Sequence, residues 1–250
     1  MAIKLLISDV DGTLIRAGES EISVGIKKKI AAFLASGGDV AIASGRTYHS
    51  LMRFFREFAD SLYFIPCDGA LCIKSGKVLY HRPISMSSIR SAFATAKERG
   101  LALHLAGAER GYVFGDAEFE AKMTKWHVDD FTTVSTASEV REPIYKLAFY
   151  GKSPNFATVP ADLRKSYVGN GWAEYVYRYA DKGLALSDLQ NRLFLTKFDT
   201  AAIGDGLNDV SMLSKAKYAY ALDPALKDAV PSVILAETAE EALDWMRTAK

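Results

Sequence analysis

An α/β fold, a doubly wound parallel sheet interrupted by an inserted α+β module, is predicted by three features of the 250-residue sequence. Apolar strand-like runs alternate with helical segments up to Pro66. Between residues 83 and 181 the rhythm gives way to paired strand-like runs, and it returns from Lys182. Loops rich in Asp, Gly and Ser follow several of the strands in both outer parts.

Each element has its own justification. Ile3-Lys4-Leu5-Leu6-Ile7 does not alternate polar and apolar residues, which suits a strand buried on both faces. It runs into Ser8-Asp9-Val10-Asp11-Gly12-Thr13, where a strand would end in a tight turn. Asp11-Gly12 is also a two-residue hairpin signal, but Leu14 to Ser20 makes a poor second strand. Val24 to Ala35 has helical spacing, closed by Gly37-Gly38 as a left-handed cap. Asp39 to Ala43 is a strand, Thr47 to Phe58 a helix with Thr47 as N-cap, and Ser61 to Pro66 a strand. This strand–helix succession implies right-handed parallel crossovers.

Leu71 to Ile73 and Val78 to Tyr80 then form a hairpin across Lys74 to Lys77. Ser87 to Arg99 is a helix ended by Gly100, and Glu118 to Trp126 is a shorter one. Leu101–Leu105, Gly111–Phe114, Ile144–Tyr150 and Glu174–Tyr179 read as strands of a mostly antiparallel sheet. Gly183 to Phe194 is a helix, Thr200 to Ile203 a strand, and Asn208 to Ala216 a helix. Tyr218–Leu222 and Val233–Leu235 are strands, and Pro224–Ala229 and Ala239–Thr248 helices. The expected organisation is a Rossmann-like core from 1–82 and 182–250, with an inserted module at 83–181; insertion into one loop of a domain is a tolerated construction.

Composition narrows the function. The chain is 49% hydrophobic and 24% charged, with a net charge of +1, so neither nucleic acid nor an anionic membrane is indicated as a partner. Cys67 and Cys72 are too few and too close for a disulfide framework, and no Cys/His spacing suits zinc. There is no leader-like N-terminus and no membrane-length apolar run, so a cytoplasmic setting is expected.

The chemistry should sit where the parallel strands end. Four loops converge there: Asp9 to Thr13, Ser44-Gly45-Arg46, Asp68-Gly69-Ala70 and Gly204 to Asp209. That brings Asp9, Asp11, Asp205 and Asp209 together. Crowded carboxylates must take up protons or a cation, and an all-oxygen site suits Mg²⁺. A calcium loop lacks the glycine and distal Glu it would need. Asn208 can also serve as an N-cap, and Ser44 as an ordinary turn serine. Lys182 opens a helix, where a cation is unfavourable unless an anion is near. These parts fit phosphoryl transfer, with one carboxylate as nucleophile and another as acid and base.

On these residues the chain resembles the haloacid dehalogenase superfamily, in its Cof-type phosphatase branch with a large inserted cap. Asp-x-Asp-Gly-Thr matches Asp9 to Thr13, and the hydroxyl motif matches Ser44. The lysine motif matches Lys182, and Gly-Asp-x-x-Asn-Asp matches Gly204, Asp205, Asn208 and Asp209. The resemblance implies Asp9 as nucleophile and Mg²⁺ ligand. It implies Asp11 as general acid and base, giving the metal its backbone carbonyl. Asp205 would be a further ligand, with Asp209 and Asn208 shaping its surroundings. Ser44 and Lys182, with Asn208 beside them, would hold the phosphoryl group.

The expected reaction is hydrolysis of a small phosphorylated metabolite, a sugar phosphate or an acid such as phosphoglycolate. A phosphomutase or phosphotransferase of the same fold is the neighbouring reading. A non-enzymatic receiver domain would be about half this length and lack both the Gly204 loop motif and the insertion. Nucleotide binding lacks both of its glycine-rich fingerprints. One departure stands out: Asp68-Gly69-Ala70 replaces the relatives' usual Asn-Gly-Ala. It is either a turn residue alone or an added negative charge at the cleft mouth that disfavours highly anionic substrates. Within the insertion, His104, Glu109, Arg110, Tyr112, Lys146 and Arg178 are the polar candidates for substrate contact, but each taken alone is expected on a solvated surface instead, and His104, in an apolar run, also reads as a satisfied core histidine.

Overall fold

The computed structural model of the protein describes residues 3–16, 18–125, 130–154 and 159–248. In chain order the first part holds β1 (Leu5–Ser8), α1 (Val24–Ala35), β2 (Asp39–Ala43), α2 (Tyr48–Phe55) and β3 (Leu62–Ile65). A hairpin, β4 (Leu71–Lys74) and β5 (Lys77–His81), follows. Next come α3 (Met86–Arg99), β6 (Ala102–Ala106), β7 (Gly111–Phe114), α4 (Ala117–Lys125) and β8 (Phe131–Thr133). Then β9 (Lys146–Tyr150), β10 (Leu163–Gly169) and β11 (Trp172–Tyr177) complete that region. The last part holds α5 (Lys182–Arg192), β12 (Thr200–Gly204), α6 (Val210–Leu213) and β13 (Tyr218–Ala221). It ends with α7 (Leu226–Ala229), β14 (Ile234–Leu235) and α8 (Ala239–Thr248).

The strands form two sheets. The first runs β14-β13-β12-β1-β2-β3-β4-β5, parallel from β14 to β3 and antiparallel at the hairpin. All four residues of β1 are buried, as its unbroken apolar run requires. The chain winds from β1 to β3 on one side, then returns to β12 on the other. β1 is therefore the switch point, where ligands of open α/β sheets bind. Its neighbours are β2 and β12, which rules out the hairpin reading of Asp11-Gly12. Ser8 aligns with Ile42 of β2 and Ile203 of β12, so the three loops leave the sheet at one level.

The second sheet runs β10-β11-β9-β6-β7-β8 and is antiparallel except at β7–β8. Its register decides what faces the first sheet. Ala102, His104 and Ala106 of β6 lie level with Tyr150, Ala148 and Lys146 of β9. Those in turn meet Trp172, Glu174 and Val176 of β11. Side chains alternate along a strand, so these nine share one face. Ala106 and Val176 join the apolar cluster of the first sheet, which turns that face toward the core. The opposite face, with Leu103, Leu105, Leu147 and Phe149, packs on α3 through Ile89 and Phe93.

Several elements differ from the sequence reading. The helix expected at 208–216 is a 3₁₀ turn, Leu207–Asp209, followed by the single turn of α6. α2 stops at Phe55 and continues as a 3₁₀ turn. β8 and β10 were not expected: β8 has three residues, and β10 is a half-exposed edge strand with little apolar content. Trp126, the expected end of the helix at 118–126, lies outside the described residues. Thr47 is the N-cap of α2, its Oγ1 accepting from Ser50 N, and Gly100 ends α3 in the left-handed conformation at φ 62°.

Candidate active site

The loop after β1 carries Asp9, which is 4% exposed. Lys182, 1% exposed at the start of α5, donates to Asp9 Oδ1 at 2.5 Å and to Asp209 Oδ1 at 2.7 Å. Lys182 thus stands in a buried ion triad, and the anions that a cation at a helix start requires are these two carboxylates. Burial works against the ammonium, yet Asp9 and Asp209 more than offset it and hold Lys182 above the ordinary lysine range. Asp9 is pushed up to about 7, chiefly by burial and further by Asp209, against the pull of Lys182. Asp9 Oδ2 is buried without a hydrogen-bond partner.

Asp209 is fully buried, and its Oδ2 accepts from the backbone N–H of Asp205 and of Gly206, both at 3.0 Å. This carboxylate folds the loop after β12 back on itself and aims Asp205 toward the loop after β1. Thr13 Oγ1 donates to Asp205 Oδ1 at 3.0 Å. Gly12 makes the approach possible: its φ is +85°, and a Cβ there would lie 1.9 Å from Asp205 Oδ2. Burial raises the Asp205 carboxyl, with Thr13 pulling the other way. Neither Gly12 nor Thr13 had an assigned role in the sequence reading, although both stand inside its first motif.

Asp9, Asp205 and Asp209 each bring a carboxylate oxygen within 4.8 Å of the others. Three hard oxygen donors, one from each carboxylate, fit a small divalent cation such as Mg²⁺. The Asp11 carboxylate stands apart from this group. It is half exposed and gripped by Arg46, whose Nε donates to Oδ2 at 2.8 Å and whose Nη2 donates to Oδ1 at 2.6 Å. A paired fork of this kind is among the stronger charge-assisted contacts. Arg46 follows Ser44-Gly45 directly and had been passed over as part of the serine motif. Ser44 is buried, and its Oγ accepts from Arg46 N at 3.1 Å. Asn208 is exposed at the rim of the same cleft.

Asp68 is not an open charge at the cleft mouth. It is 7% exposed, at φ 55°, a backbone region that Asp tolerates better than most residues. Lys146 of β9 reaches across from the second sheet to within 3.5 Å of Asp68 Oδ2. The same Nζ donates to Gly45 O and to Glu174 Oε2, both at 2.7 Å. Burial alone would raise the Asp68 carboxyl, but Lys146, with Lys182 and Arg164, holds it below its ordinary value. Lys146 was expected on the surface and Glu174 was not singled out; both face the core because of the strand register. His104 and Tyr112 are buried, whereas Glu109, Arg110 and Arg178 are exposed as expected.

These residues line one cleft of about 480 Å³, which holds Asp9, Asp11, Ser44, Asp68, Asp205 and Asn208. Among the described residues no helix is long and apolar enough to cross a membrane.

Residues 6–238 match the family model for haloacid dehalogenase-like hydrolases. The chain is 23% identical over 241 residues to 5-amino-6-(5-phospho-D-ribitylamino)uracil phosphatase YbjI of Escherichia coli, covering 90% of this chain and 87% of that one. Among solved structures, TM0651 from Thermotoga maritima superposes with a TM-score of 0.83 at 20% identity, over 99% of this chain and 98% of that one. The subclass IIB sugar phosphatase BT4131 superposes with a TM-score of 0.75 at 21% identity, over 98% of each chain. The buried aspartate–lysine triad at the switch point thus lies within the matched span, and the chain belongs to the haloacid dehalogenase-like hydrolases, in their Cof-type phosphatase branch.

Proposed function

We propose that the protein is a Mg²⁺-dependent phosphatase that hydrolyses a small phosphorylated metabolite, a sugar phosphate or phosphorylated acid, through an aspartyl-phosphate. The observation that carries this is Asp9 itself: buried, with Oδ1 fixed by Lys182 and Oδ2 left without a partner. Oδ2 is placed to attack phosphorus as the ester P–O bond breaks. The leaving oxygen takes a proton from the Asp11 carboxyl. Asp11 then removes a proton from the water that attacks phosphorus, and the bond to Asp9 breaks. For both transfers the Asp11 carboxyl has to leave Arg46.

Ser44, Lys182 and Asn208 would hold the transferring group. Asp9, Asp205 and Asp209, with the Asp11 backbone carbonyl, would hold Mg²⁺, whose charge offsets that of the phosphoryl oxygens. The Escherichia coli relative, a phosphatase by name, and the sugar phosphatase BT4131 support the reaction class.

The test is hydrolysis of p-nitrophenyl phosphate with millimolar Mg²⁺. Asp9→Asn should lose roughly a thousandfold or more in kcat with an unchanged circular dichroism spectrum. A folded Asp9→Asn protein that retains wild-type turnover would rule out the covalent route.

A further inference from the structure

The catalytic cleft does not end at the carboxylates. It shares Gly45, Arg46, Lys146 and Glu174 with a second compartment of about 330 Å³ that continues between the two sheets. A leaving group attached to phosphorus near Asp9 has this space to enter, past Asp68 and Glu174.

Three observations say what that passage accepts. Asp68 Oδ2 is buried and makes no hydrogen bond, although it lines the cleft. The Lys146 ammonium stands 3.5 Å off, so a hydroxyl donor arriving with the substrate would supply the hydrogen bond this acceptor lacks. Lys146 cannot serve as an anion receptor, because Gly45 O, Glu174 and Asp68 surround its ammonium group. The triad of Asp68, Glu174 and Lys146 carries one net negative charge in a buried place. Glu174 keeps 27% side-chain exposure and lines both compartments.

The remaining cations near the scissile bond are balanced or lie outside this lining. Arg46 and Asp11 cancel as a pair, Lys182 is offset by Asp9 and Asp209, and Arg164, which donates to Ala180 O, lines neither compartment. Arg53 lines the second compartment and is absent from the lining of the first.

We propose that Asp68 and Glu174, fixed by Lys146, form a hydroxyl-accepting subsite for the leaving group. The subsite selects phosphate esters of neutral polyols and sugars over short phosphorylated acids. Hydroxyl groups donate to carboxylates; a carboxylate on the leaving group cannot, and meets like charge in a low-dielectric passage. This deepens the phosphatase reading and rests on it.

The test compares kcat/KM with Mg²⁺ for p-nitrophenyl phosphate, glycerol 3-phosphate, glucose 6-phosphate, phosphoglycolate and 3-phosphoglycerate. In the wild type the better hydroxylated ester should exceed both acids by about tenfold or more, the size expected for one lost charge-assisted hydrogen bond. Asp68→Asn and Glu174→Gln should each reduce that ratio by about fivefold or more, by removing negative charge from the passage. Acids turned over as well as the hydroxylated esters by the wild type would overturn the subsite. So would a ratio unmoved in both variants. Absence of p-nitrophenyl phosphate turnover in the wild type is a different failure, since it removes the phosphatase reading itself.

Discussion

At the scale of single residues, the site is a problem in placing like charges close together. Asp9 and Asp209 are both buried, and Lys182 lies between them with one hydrogen bond to each. Removing the charge while keeping the length of the side chain leaves two buried carboxylates without their counter-ion. Lys182→Met should therefore lower the unfolding free energy by about 3–5 kcal/mol, read from urea unfolding without metal. Millimolar Mg²⁺ should restore part of that loss, because a cation held by Asp9, Asp205 and Asp209 supplies the missing positive charge and stabilises the folded state by mass action. A variant as stable as the wild type in EDTA would show that the triad is not holding the loops.

The same scale shows what the sequence made legible. Asp9, Asp205 and Asp209 stand in short glycine-containing loops after strands, and strand position alone brings them to one rim. Lys182 was readable as a misplaced cation at a helix start. The partners of Asp68 were not readable. Whether a residue at position 146 or 174 faces the core depends on the pairing of β6, β9 and β11, and a slip of one residue reverses it. The grip of Arg46 on Asp11 was hidden for a related reason: it joins two loops 35 residues apart.

Among the elements, those with a strong period emerged at the bounds expected from sequence: α1, β2 and α8 are examples. The misses are short or polar. β10 is an edge strand whose residues after Leu163 are half-buried or exposed, and α6 is one turn whose length is set by packing. That packing explains Gly183. A Cβ at this second residue of α5 would lie 2.4 Å from Ser211 O on α6, so the two helices meet backbone to backbone. Gly183→Ala should cost about 1–3 kcal/mol by overpacking. It should also lower kcat for p-nitrophenyl phosphate, since α5 cannot shift without moving Lys182. Wild-type stability and kcat together would show that α5 and α6 can separate freely.

For the whole molecule, Lys146 joins the second sheet to two loops of the first, through Gly45 O and Asp68. Those loops are themselves zipped, with Asp68 N donating to Ser44 O and Cys67 N to Arg46 O, both at 2.9 Å. The position of the second sheet is thus coupled to the loop that carries Ser44. Lys146→Met would leave Asp68 and Glu174 without their shared cation, at a cost of about 3–5 kcal/mol.

The pH dependence of that loss has a definite shape. The folded protein holds Asp68 below its ordinary value, so its contribution is present above about pH 4 and is lost as pH falls through the lowered value. It holds Lys146 above the ordinary lysine value, so that contribution is present below about pH 10 and is lost only at higher pH. Between roughly pH 5.5 and 9 neither group titrates in either state, and the stability gap between wild type and Lys146→Met should be flat. Below pH 5 the gap should narrow, because the variant's unpaired Asp68 carboxylate takes up a proton while that of the wild type resists it. Urea unfolding of both proteins across this range measures the gap directly. A gap that changed steadily through neutral pH would mean that the pairing of Lys146 with Asp68 does not set the difference between the two proteins.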